Sequence, residues 1–354
     1  MEELEEKVKK TDCDEDSIID HIKQRRNICK IHDVTLTNGN LVFDHPVPNC
    51  VLNKFLKEKN WDNKEFTKVR YIAITCDTDN FVKKKYTIRQ KKNSTEIMIV
   101  ITMYNENYTH FIKTMSSVIK NVEYICSKKS KTWRDEVSDG HNKINKRTLD
   151  VLSVMGCYQD GIVQDRVNNR RPVTAHLFEY TTQLMFDNDL NVQTSKIPVQ
   201  VMFCLKQKNA KKINSHRWSF KAFAALLEPK FLALLASANF SITCAIALTF
   251  DIYSAFDHDN DVGGTCGKIK VDLGCKCRNL LNPLITAQNF EYKMSNILDK
   301  LSESVFALKN GPLEKYLKGE YDDLAATKTG SKHSAKAETD VPDNVPEFIS
   351  QCRR

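Results

Sequence analysis

Ile97-Met98-Ile99-Val100-Ile101 is an unbroken apolar run, the mark of a strand buried on both faces in a parallel sheet. After it, Phe111, Met115, Val118, Ile119, Val122 and Ile125 recur at helical spacing, which predicts a helix with one apolar face. Short apolar runs at Val199 to Leu205 and Phe231 to Leu235 predict a second and a third buried strand. Strands alternating with helical patterns imply an α/β domain around a largely parallel sheet. In such sheets ligands bind beyond the carboxyl ends of the strands.

The flanks read differently. Residues 1–36 are charged and weakly patterned, and are expected to be flexible. Thr37 to Leu52 is rich in turn signals: Asn38-Gly39 marks a tight turn, while Pro46 and Pro48 forbid a helix. From about Ala325 apolar residues become sparse, so 321–354 is expected to be a disordered tail. The working division is therefore 1–36, 37–94, 95–320 and 321–354. Phe231 to Phe250 carries no charge and is long enough to cross a bilayer. Its Ser237, Asn239 and Ser241, and its place mid-chain, favour buried strand over membrane helix.

Composition narrows the class. A hydrophobic fraction of 41% with 28% charged residues fits a folded globular chain. The net charge of +8 is spread widely and comes with no nucleic-acid recognition motif, so no nucleic-acid partner is expected. Twelve cysteines follow a charged amino terminus with no apolar leader, so free thiols in a reducing compartment are expected. Cys266, Cys275 and Cys277 lack the second pair or histidine of a zinc site.

Three clusters carry candidate chemistry. Thr102-Met103-Tyr104-Asn105-Glu106 follows the opening strand, so its polar groups belong near the crevice. Ser138-Asp139-Gly140, with Lys143, Asn145 and Arg147, sets a carboxylate ahead of cations, a pattern able to read a base edge and a diphosphate. Lys206 to Trp218 (KQKNAKKINSHRW) combines lysines, an arginine and a histidine with amides, and suits a diphosphate leaving group. Taken alone, the first two read more readily as ordinary turns, and the third reads equally well as a solvated basic loop.

Together these segments resemble the fungal-type chitin synthases, in that family's order: TMYNE, SDGHNKIN, HLFEYTTQ (His176 to Gln183), FCLKQKNAKKINSHRW (Phe203 to Trp218), VGGTCGKI (Val262 to Ile269) and NLLNPLITAQNFEYKMSNILDK (Asn279 to Lys300). GNLVFDHPVP (Gly39 to Pro48) and RYIAITCDTDNFV (Arg70 to Val82) resemble its amino-terminal region. The resemblance implies a Rossmann-like glycosyltransferase A-type domain with a mostly parallel sheet, incomplete here, behind an amino-terminal extension. It implies UDP-N-acetylglucosamine as donor, a growing β-1,4-linked chitin chain as acceptor, and Mg²⁺ or Mn²⁺ as cofactor. It also implies a place at the plasma membrane with this domain on the cytosolic side. Thr102, Tyr104, Asn105, Glu106, Asp139 and Lys143 would belong to the uridine and phosphate pocket. Lys206, Lys212, Asn214, Ser215, His216 and Trp218, with Gln288, Asn289 and Glu291, would help build the donor site.

The sequence departs from the family in four places. The apolar strand expected before Ser138 is replaced by Trp133-Arg134-Asp135-Glu136-Val137, which does not read as a strand. The family's metal-binding aspartate falls on Ala236, and Asp257, Asp259 and Asp261 read as a solvated loop rather than substitutes. A metal on the diphosphate stabilises developing charge, and each ~1.4 kcal/mol lost costs about tenfold in rate. Val305-Phe306 joins Gly311-Pro312 without the family's glycine- and aromatic-containing run. The E-D-R motif with its general base, the Q-R-R-R-W motif and the carboxy-terminal membrane helices are not found. Three readings follow: a synthase whose sequence is incomplete, a catalytically dead relative, or a nucleotide-sugar-binding partner that forms an oligomer with a full-length synthase.

Overall fold

The computed structural model describes residues 36–54, 64–89, 95–103, 105, 107–127, 132–138, 144–167, 171–187, 191–208, 211–236, 240–241, 262–271, 275–298, 305–309, 328–339, 341 and 343–352. The charged residues 1–35 and the acidic Asp257, Asp259 and Asp261 lie outside them.

The Asn-Gly signal forms the turn it predicts. Asn38 and Gly39 both have positive φ, 51° and 77°, as a type I′ turn requires. Thr37 and Asn40 exchange backbone hydrogen bonds of 2.8 and 2.9 Å across it. The chain continues into β1 (Leu41–Pro46), which pairs antiparallel with β2 (Lys68–Ile74). A single helical turn, Asn49–Leu52, starts after Pro48, where the missing proline N–H costs nothing.

The later strands are β3 (Ile97–Met103), β4 (Thr132–Ser138), a small β5–β6 pair (Arg166–Val167, Arg171–Pro172), β7 (Ala175–Phe186), β8 (Val192–Lys206), β9 (Phe231–Ala236), β10 (Phe240–Ser241), β11 (Val262–Val271), β12 (Val305–Lys309) and β13 (Lys328–Thr339). All but β5 and β6 join one sheet in the order β1-β2-β7-β8-β4-β3-β9-β12-β11-β13-β10. At its centre β8, β4, β3 and β9 are mutually parallel, the α/β core that the apolar runs predict. Antiparallel strands extend this core on both sides, because hairpins such as β7–β8 need only a short connection.

Alternation along the strands sorts side chains onto two faces. On β3, Ile97, Ile99, Ile101 and Met103 join one core with Phe111, Met115, Val118, Ile119 and Val122 of the helix Tyr108–Ser127. Each such burial contributes roughly 1.5–3 kcal/mol, so packing rather than propensity holds this helix. Met98 and Val100 face the other way, onto Trp218, Phe220, Phe223 and Leu232. β2 divides identically: Val69, Tyr71 and Ala73 enter the first core, Ile72 and Ile74 the second. Residues 37–94 therefore share both cores with the segments that follow.

Two expectations are corrected. Trp133-Arg134-Asp135-Glu136-Val137 is strand after all: it forms most of β4, laddered between β3 and β8. Position between two parallel partners outweighs its poor hydropathy, since strand preference is dominated by context. The tail expected to be disordered supplies β13, parallel to β11, and the helix Val345–Cys352. An open sheet edge offers backbone pairing to a polar sequence as readily as to an apolar one. The uncharged run starting at Phe231 begins as β9, with Leu232, Ala233 and Leu235 buried. Among the described residues no helix is long and apolar enough to cross a membrane. Cys76, Cys157 and Cys204 are free and buried, and Cys277 is free and exposed.

Candidate functional site: one edge of the sheet

The pairing register puts the ends of five strands on one line. Ile74 of β2 pairs with Ala175, and Ala175 with Lys206 of β8. Leu205 pairs with Ser138 of β4, Ser138 with Met103 of β3, and Thr102 with Ala236 of β9. β2 is antiparallel to β7, and β7 to β8, so β2 runs with the parallel core. All five carboxyl ends open on the same edge, where α/β sheets bind ligands. Met103 of TMYNE, Ser138 of SDG and Lys206 of KQKNAKKINSHRW end their strands there, beside Ile74 at the end of β2.

The described side chains divide by role. Asn105 is exposed beyond β3. Thr102 is buried, and its hydroxyl donates to the Leu235 carbonyl at 3.4 Å, tying β3 to β9. Lys206, also buried, donates through Nζ to Ser215 Oγ at 2.7 Å and to Asn214 Oδ1 at 3.3 Å. These three residues pin the helix Lys211–Arg217 to the end of β8. His216 is half-buried and meets Phe220 edge-on, whereas Trp218 is core. Lys212 lies on the same helix. Tyr104, Glu106, Asp139 and Lys143 fall outside the described residues.

Neighbouring loops are tied to each other. Asn145 Oδ1 accepts from the Arg147 amide at 3.0 Å and caps the helix Lys146–Val154, satisfying an otherwise open amide. Arg147 Nη1 donates to Tyr108 Oη at 3.3 Å, with its guanidinium carbon 5.1 Å from the ring centroid. That contact joins the segment after β4 to the helix after β3. Gln288, Asn289 and Glu291 stand apart from this edge group, on the helix Pro283–Leu298, which packs against β11. Gln288 is buried and donates to the Leu284 carbonyl at 3.2 Å, Asn289 is half-buried, and Glu291 is exposed.

A further set lies within or beside the quoted motifs but was not among the candidate site residues. Buried His176 meets Tyr71 Oη at 2.9 Å through Nδ1 and Gln207 Oε1 at 3.4 Å through Nε2. Tyr71 Oη also accepts the Gln164 amide at 3.1 Å, and Gln207 Nε2 donates to Asp165 at 3.5 Å. Thr174 Oγ1 donates to the Ile74 and Cys76 carbonyls at 3.0 and 2.7 Å. The first residue after β8 is thereby fastened to β7 and to β2. The rule about strand ends would have led here had it been applied to Tyr71-Ile72-Ala73-Ile74, itself an apolar run.

Deeper in the sheet, Glu179 of β7 is fully buried and accepts the Arg89 amide at 3.0 and 3.2 Å. Burial pushes its carboxyl up to about 7, against the pull of that amide and of Arg70 and Arg89. Asp44, paired with Arg70 at 2.9 Å and Arg89 at 3.3 Å, is held below the usual carboxylate range: the two guanidiniums outweigh its desolvation.

Ala236 ends β9 with no ligating oxygen on its side chain. Among the described residues no group of three His, Cys, Asp or Glu is placed to hold an ion.

Comparison with known proteins matches residues 97–310 to a chitin synthase-like glycosyltransferase domain and residues 29–96 to a chitin synthase N-terminal region. A chitin synthase 2 from Rhizopus oligosporus is 41% identical, the match covering 94% of this chain and 45% of that one. A chitin synthase 2 from Mycosarcoma maydis is 40% identical, covering 95% of this chain and 35% of that one. The first match runs over 396 positions, more than the 354 residues of the chain, so the relative carries residues with no counterpart here. The chain spans less than half the length of these relatives. Among solved structures, a mannosyl-3-phosphoglycerate synthase from Rubrobacter xylanophilus aligns with a TM-score of 0.35 at 6% identity, over 72% of this chain and 70% of that one.

Proposed function

We infer the function of this chain from its family: it belongs to the chitin synthase-like glycosyltransferases. On that premise we propose that the edge formed by β2, β8, β4, β3 and β9 binds UDP-N-acetylglucosamine, the donor for a growing chitin chain. The observation carrying this reading is the convergence of the matched motifs on that edge. β4 matters most to it, because a continuous ladder from β3 to β8 sets Ser138, the first residue of SDG, level with Met103 and Leu205. Thr102, Asn105 and the Lys206–Ser215 link supply the framework, and Tyr104, Glu106, Asp139 and Lys143 are the proposed contacts to uridine and diphosphate.

The residue at the end of β9 argues for binding without transfer. Ala236 takes the place of the metal-binding aspartate. Transfer to chitin therefore calls for the further segments carried by the longer relatives, or for a partner synthase at the cytosolic face of the plasma membrane.

Calorimetric titration of the purified chain with UDP and with UDP-N-acetylglucosamine tests the reading, alongside an assay for labelled polymer. Saturable binding with no polymer is expected. Failure to bind UDP would sink the donor site, and saturable metal-dependent transfer would sink the restriction to binding.

A further inference from the structure

The loop after β2 lies against the helix that carries the Lys206–Ser215 link, and the contact has two layers. Inside, Phe81 and Tyr86 are buried and stacked at 4.9 Å. Phe81 meets Trp218 at 6.2 Å and Phe223 at 5.7 Å, both edge-on. Outside, the Asp79 carboxylate takes Arg217 Nη2 at 2.8 Å and Lys221 Nζ at 3.1 Å. Arg217 ends the α-helix Lys211–Arg217, and Lys221 sits in the π-helix Trp218–Ala224 that continues it. One carboxylate thus spans the junction where α-helical bonding gives way to π. The lysine and arginine hold it below its ordinary range.

A π segment is rare, clusters at functional sites, and here relies on its neighbours to persist. The loop is itself well anchored. Asp77 Oδ1 accepts the Thr78 amide at 2.8 Å, and Tyr86 Oη accepts the Thr75 amide at 2.9 Å. Asn40 Nδ2 donates to the Lys84 carbonyl at 3.0 Å. Ser219 Oγ donates to the Ser215 carbonyl at 3.1 Å, so the helix end and the π turn move together.

We propose that Asp79, with the loop Asp77 to Tyr86, is a positioning element of the donor site. It acts through the π-helix on Asn214 and Ser215, and so on the Lys206 ammonium and the basic loop at the crevice. This gives the amino-terminal region a part in donor binding without touching the donor, and it rests on the donor-site reading above. Ion pairs between half-exposed groups are individually weak, so the expected effect is a few-fold change.

The test compares wild type, Asp79→Ala and Asp79→Glu by hydrogen exchange and by UDP titration of the full chain. Asp79→Ala should speed amide exchange across 211–224 by about threefold to tenfold and weaken UDP binding by a similar factor. Asp79→Glu should recover both. Unchanged exchange in Asp79→Ala overturns the inference whether or not UDP binds. Faster exchange with unchanged UDP affinity removes the link to the donor. A wild-type chain that binds no UDP overturns the donor reading on which the inference rests, while exchange still decides whether the helix is held by Asp79.

Discussion

The two faces of β3 are covered by helices of opposite kinds. The helix Tyr108–Ser127 presents its own apolar stripe and packs it directly on Ile97, Ile99 and Ile101. The segment Lys211–Leu227 passes from α-helix through a π segment and back to α-helix, and is covered by Phe81 and Tyr86 from far upstream in the chain. The first helix is specified by its own sequence and serves the core. The second carries the Lys206–Ser215 link and is packed on by residues far upstream. Its departure from the regular helix is bordered by contacts distant in sequence.

That contrast can be attacked from either face. The largest effect should come from Ile119→Asp, which buries an unpaired charge against β3. It is expected to destabilise the whole fold by about 4 kcal/mol, read by chemical denaturation, with protection lost across both helices. A loss confined to 108–127 would mean the two faces do not unfold together.

Next is Glu179, on the side of β7 that faces the π-helix. Its carboxyl is raised to about 7 in the fold, so the folded chain binds the proton more tightly than the unfolded one. The stability this contributes is fully present below the ordinary glutamate pKa and is lost as pH rises through about 7. The swing is on the order of 2–3 kcal/mol. Denaturation midpoints between pH 5 and pH 8 should therefore fall, and Glu179→Gln should flatten that slope. An equal slope in the variant would assign the dependence to other groups.

The smallest effect belongs to Phe81→Leu, which keeps most of the volume and loses the edge-on ring contacts. About 1 kcal/mol is expected, with faster exchange concentrated in 211–227 and little change in 108–127. Uniform acceleration of both helices would erase the distinction drawn here.

The parts of the site legible in the sequence were those that announce themselves locally. Ile97 to Ile101 declares a buried parallel strand, and the rule about strand ends then points to Thr102 and Asn105. The strand β4 was illegible because Arg134, Asp135 and Glu136 deny the hydropathy by which a buried strand is recognised. Ladder pairing with Val100 and Met202 places it regardless. The basic segment was legible as chemistry but not as geometry, since nothing local says that Lys206 turns inward to Ser215 or that Lys211 to Arg217 is helix. The contribution of Asp79 was hidden for the same reason: its partners lie 138 residues and more away along the chain.

By itself the sequence determined the family, the α/β core, the helix on its first face and the motifs that stand at the ends of its strands. These follow from short-range periodicity and from residue types that carry their chemistry wherever they stand. Tertiary structure alone decided that a polar segment completes the central sheet, that β1, β2 and the loop after it share both cores, and that this loop packs on the π-helix. Each depends on pairing and packing between residues far apart in the chain, which become neighbours only when the sheet closes around them.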